Sequence, residues 1–89
     1  MFYIKTNRNK YIKCKNVNLS INQEDGKQYI ETVLETSYLN YFNADIKAVS
    51  LVHRRWFKES NPVMIDDNYL PTYQITNNIL TITFTAEGI

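Results

Sequence analysis

The sequence predicts an α+β fold: a mainly antiparallel sheet in the order β-β-β-α-β-β, with one helix over about 38–59 packed on one face. Three observations predict it. Residues 2–6, 10–15 and 17–21 alternate apolar and polar side chains, as half-buried strands do. Leu39, Phe42, Ile46, Val49, His53 and Trp56 recur at spacings of three and four, which draws one stripe along a helix. Residues 79–85 alternate again, with Leu80, Ile82 and Phe84 on one side and threonines on the other.

Taken in order, residues 2–6 and 10–15 read as a hairpin turning through Asn7-Arg8-Asn9, where asparagine tolerates a left-handed backbone. Pairing residue 6 with residue 10 sets Lys5 against Tyr11 and Tyr3 against Lys13. Val17, Leu19 and Ile21 continue the alternation, and Gln23 to Lys27, with its Asp-Gly pair, makes a second turn. Residues 28–36 suit a strand through Ile30, Thr32 and Leu34, and a helix through Tyr29, Ile30, Val33 and Leu34. Over the helical stripe Ser37 is the expected N-cap. Arg54, Arg55 and Lys58 sit at the end where positive charge complements the helix dipole, and Ser60-Asn61-Pro62 ends the helix. Within that stripe Ala48, Ser50, Val52 and Arg54 do not separate into a wet and a dry face, so strand alternation fails there. Residues 63–66 read as a short edge strand, and Tyr73–Thr76 with Ile79–Thr85 as a closing hairpin across Asn77-Asn78.

The competing arrangement is an all-β immunoglobulin-like sandwich. Trp56-Phe57-Lys58, then Tyr73-Gln74-Ile75 and Leu80-Thr81-Ile82, stand where a C strand and an E strand would. The disulfide of a true immunoglobulin domain is missing: Cys14 is the only cysteine and lies about 40 residues before Trp56.

The chain has 89 residues, 44% of them apolar, which sets one globular domain over 1–89 and excludes disorder. A single cysteine forms no intrachain disulfide, and residues 1–10 hold no apolar stretch of signal-peptide length. No apolar run is long enough to span a membrane. The expected compartment is therefore the cytoplasm, of a bacterial host cell or a virus-infected cell. Abundant Asn, Ile, Lys and Tyr suit an AT-rich genome.

Chemistry-bearing motifs are scarce. Two glycines exclude a phosphate-binding loop, and one cysteine with one histidine excludes the common zinc sites. Cys14 and His53 are formally a nucleophile and a base, but each falls on an apolar face, as a buried thiol and a core-edge imidazole do. Asp66-Asp67-Asn68 reads as a turn, because adjacent carboxylates on an extended segment diverge. No catalytic residue, metal site or cofactor is expected, and the chain reads as a non-enzyme.

Charge is uneven although the net charge is +1. Residues 1–23 carry Lys5, Arg8, Lys10, Lys13 and Lys15 with no acid. Residues 59–89 carry Glu59, Asp66, Asp67 and Glu87 with no base. The expected function is a small protein–protein interaction module, with seven tyrosines supplying amphipathic contact area. Size and amino-acid usage suit an accessory protein of a phage or mobile element, acting as an inhibitor or regulator of a host protein or as a small virion component. The alternative is a nucleic-acid-binding module that stacks bases on Tyr3 and Tyr11. It would hold phosphates with Lys5, Arg8, Lys10, Lys13 and Lys15, joined by Arg54 and Arg55. A homodimer would use the helical stripe as its seam. Nothing points to a membrane partner.

Overall fold

A computed structural model describes residues 1–56, 58–66 and 68–86. Nine strands build it: β1 Phe2–Thr6, β2 Tyr11–Lys13, β3 Val17–Ile21, β4 Gln28–Leu34, β5 Ala48–Arg55, β6 Lys58–Glu59, β7 Val63–Met64, β8 Thr72–Thr76 and β9 Ile79–Thr85. Strands account for 55% of it, and among the described residues no helix reaches seven residues. The fold is all-β with two antiparallel sheets, not α+β.

One sheet runs β2-β1-β5, with β6 pairing the far end of β5 and β7 its near end. The other runs β3-β4-β9-β8. The two are stitched together at both flanks. Lys15 donates to Val33 O and Val33 to Asn16 O, so the chain leaving β2 crosses to β4 and becomes β3. On the other side Ile65 donates to Val49 O and bridges Ala86, while Asp66 donates to Thr85 O. Hydrogen bonding thus runs in a circuit through β9, β4, β3/β2, β1, β5 and the β7 segment. Between the layers lie Ile4, Ile12, Ile30, Leu34, Leu51, Ile65, Leu80, Ile82 and Phe84, all buried.

The hairpins form where the turn residues demand them. Lys5 stands against Tyr11 and Tyr3 against Lys13, with Asn9 at φ 61° in the turn. Gly26 at φ 70° closes β3 onto β4, and residues 28–34 are strand. Asn77 and Asn78, at φ 50° and 63°, make the two-residue connection of β8 to β9.

The helix expected over 38–59 is not there. A single 3₁₀ turn, Thr36–Tyr38, is followed by an irregular stretch and then by β5. Two physical causes misled the pattern. Asn43 Oδ1 accepts the N–H groups of Asp45 and Ile46, a local bond that competes with a helical ladder. β5, in turn, is buried on both faces: Ala48 and Leu51 join the core, while Ser50 and Val52 are buried too. A strand covered on both sides shows no wet–dry alternation. Ser37 caps no helix, and the seam expected for a helical homodimer goes with it. The two antiparallel sheets fit the all-β alternative, but Trp56 is an exposed turn residue and not the core tryptophan of an immunoglobulin C strand. Phe57 and the C-terminal residues 87–89 lie outside the described residues.

Candidate functional site

β5 is longer than the sheet it belongs to. Its last residues outrun β1 and, among the described residues, pair with Met1 on one side and β6 on the other, forming a two-stranded arm. Arg54 stands against Glu59 and Arg55 against Lys58, and the chain reverses between Arg55 and Lys58. Trp56 sits in that reversal at φ 58° and is 85% exposed. A left-handed backbone at a bulky non-glycine residue costs about 1–3 kcal/mol and persists only where the surroundings impose it. His53, Arg55, Trp56, Lys58, Glu59 and Ser60 line an open cleft of about 690 Å³ beside the arm. The cleft combines one large indole with two basic side chains and the Glu59 carboxylate.

The residues expected to form a basic, aromatic face divide among four places. Strand alternation sends Arg54 and Arg55 to opposite faces. Tyr3, Lys5, Tyr11, Lys13 and Arg54 share the outer face of the first sheet. There the rings are committed to the protein itself. Tyr3 and Tyr11 meet edge to face at 6.4 Å, the Arg54 guanidinium lies 4.7 Å from the Tyr11 centroid, and Lys5 Nζ lies 5.5 Å from it. The Tyr11 hydroxyl donates to Glu59 Oε2 at 3.0 Å. Val52, directly across from Tyr3, is buried on this face. Both tyrosines are half-buried, so the flat pair of rings ready to stack on bases is not formed.

Arg8 and Lys10 lie in the turn beyond, and Lys10 leaves the face altogether. Its Nζ sits 5.2 Å from the Tyr38 ring and 5.0 Å from the Tyr41 ring. Lys15 follows the crossover to the second sheet. Arg55 alone of the expected set lines the cleft of the arm.

Cys14 and His53 occupy one inner row of the first sheet with Phe2 between them: Cys14 N donates to Phe2 O, and Phe2 pairs with His53. Two strand spacings, about 10 Å, separate thiol and imidazole backbones. The Phe2 ring packs edge-on against His53 at 4.9 Å. Burial pushes the Cys14 thiol above its ordinary 9.0, which keeps it protonated and a poor nucleophile. The Thr32 hydroxyl is near enough to favour the thiolate slightly, yet completes no hydrogen bond with it. In the Asp66 turn, Asn68 donates to Asp66 Oδ1 and Tyr69 to Asp66 O, while Asp67 lies outside the described residues. Among the described residues no three His, Cys, Asp or Glu side chains gather as a metal site would need.

Sequence reasoning missed the arm because Trp56 completed the helical stripe. The available signal was a pair of aromatic residues between Arg55 and Lys58, flanked by Arg54 and Glu59 of opposite charge. No helix among the described residues is long and apolar enough to cross a membrane. The chain matches no protein-family model, no curated protein and no solved structure.

Proposed function

We propose that the chain is a non-enzymatic protein-binding module that contacts its partner through the β5–β6 arm. The observation that carries this reading is Trp56, 85% exposed and held in a left-handed backbone at the tip of that arm. Tryptophan and arginine are the residues that most often dominate binding energy at protein interfaces, because each desolvates a large area around a directed polar group. Arg55 and Lys58 beside it favour a partner surface with an apolar slot rimmed by carboxylates. Local strain at the tip supports the same reading, since such strain concentrates where contact geometry is imposed.

The engagement of Tyr3 and Tyr11 within their own sheet weighs against a stacking surface for nucleic acid. The test uses the whole chain as bait in nuclease-treated lysate of its source cells, beside the double variant Arg55→Glu/Lys58→Glu. A protein retained by the first bait and lost from the second supports the arm. A protein held equally by both refutes it. Retention that disappears with nuclease treatment points to nucleic acid instead.

A further inference from the structure

We infer that β3 is a homodimerisation edge, pairing antiparallel with β3 of a second copy about a two-fold axis at Leu19. β3 closes one side of the second sheet and, among the described residues, pairs with β4 alone. The hydrogen-bond phase identifies which groups it leaves outside. Asn22 donates to Lys27 O, and Val33 to Asn16 O. By alternation along an antiparallel pair, Asn18 and Ser20 direct their N–H and C=O groups toward β4. Val17, Leu19 and Ile21 direct theirs outward, a template for another strand.

The side chains on that edge also lack a cover. Leu19 and Ile21 are 58% and 61% exposed, although both belong by alternation to the core side of the sheet. Residues 16–23 hold no charge, no proline and no glycine. The edges of the first sheet differ: β2 carries Lys13, and β6 carries Lys58 and Glu59. Charge is the usual guard of an edge strand. A two-fold axis sets each residue against the position equally far on the other side of the axis, so an edge charged with one sign would repel its copy, whereas the uncharged β3 meets no such penalty. β8 is neutral as well, but there Phe42 stacks on Tyr73 at 4.5 Å, and Tyr73 holds the Ala48 N–H at 3.4 Å.

The order Val17-Asn18-Leu19-Ser20-Ile21 is palindromic in polarity about its centre. Pairing at Leu19 sets Leu19 against Leu19, Val17 against Ile21 and Asn18 against Ser20. All the outward N–H and C=O groups are then used, and two four-stranded sheets become one of eight strands. The contact is short, below the roughly 1,200 Å² of a standard interface, so the dimer is weak and dilution dissociates it.

Sedimentation equilibrium over a concentration series tests this. The expected mass rises from 10.5 kDa toward a plateau at twice that value. Leu19→Lys should hold it at the monomer value with an unchanged thermal melt. Independently of that variant, Leu19→Cys should form an intermolecular disulfide under mild oxidation, whereas Gln23→Cys, far from its own copy in this register, should not. A chain that stays monomeric at millimolar concentration overturns the proposal, as does a Leu19→Lys variant that still dimerises. Growth past the dimer without a plateau also overturns it, because it signals head-to-tail pairing of β3 with β8.

Discussion

Trp56 separates two effects that a single substitution would confuse. Alanine and glycine both remove the indole, but only glycine relieves the left-handed backbone. The Trp56→Gly chain should therefore be more stable than Trp56→Ala by about 1 kcal/mol, read from paired urea denaturation curves. Equal stabilities would mean that the turn relaxes and stores no strain. One buried acid and one half-buried acid also give the molecule an alkaline limit. Burial raises the Cys14 thiol above 9.0 and, with the same first cause, the Tyr73 hydroxyl above 10.0. A group whose pKa is raised on folding contributes fully below its unfolded value, and that contribution is lost as pH rises toward the folded one. Stability should thus fall from about pH 9 upward. Cys14→Ala should flatten the first part of that fall, and Tyr73→Phe the part above pH 10, in melting temperatures taken across the range. A slope unchanged in Cys14→Ala would place the thiol in a wetter site than its burial indicates.

Among the elements, β5 shows how strand and helix become confused. Its inner face packs into the core and its outer face carries Val52, so apolar residues fall on both sides and mimic a helical stripe when joined to Leu39 and Phe42 upstream. The turn and register of the first hairpin were legible through Asn7-Arg8-Asn9, although β2 ends at Lys13 and not at residue 15. Those of the last were legible through Asn77-Asn78. Local turn chemistry carries these, whereas the partner of β5 is a strand more than 40 residues earlier, which no local pattern encodes. The outer face of the first sheet was only half legible: the pairs were right, but Glu59 and Arg54 arrive from β6 and β5 and occupy Tyr11. Val52→Ala should accordingly cost about 1.5 kcal/mol, two buried carbons at about 0.8 each, despite facing away from the core. Gln74→Ala, exposed on β8, should stay within about 0.5 kcal/mol. If Val52→Ala proves as neutral as Gln74→Ala in denaturant titration, the tyrosine cover over that face is not tight.

The whole molecule is two thin layers stitched at both flanks, with its large buried side chains on β1, β2, β4, β5 and β9. Ile82→Ala, at the centre of β9, should cost about 2–5 kcal/mol, a large share of the roughly 5–15 kcal/mol that holds a domain together. In the proposed reading the body is a frame, and the arm extends from its longest strand, tied back to the first sheet where Arg54 and Glu59 meet Tyr11. This division assigns stability to the layers and contact to the tip, so substitutions at the two should separate cleanly. The direct measurement is the affinity of the captured protein partner for the unaltered chain, for Trp56→Ala and for Lys13→Glu. The account predicts a loss of at least about 30-fold for Trp56→Ala, the ratio of a 2 kcal/mol anchor, and almost none for Lys13→Glu. Equal binding by Trp56→Ala, with the loss falling on Lys13→Glu, would contradict it and return the contact to the outer face of the first hairpin.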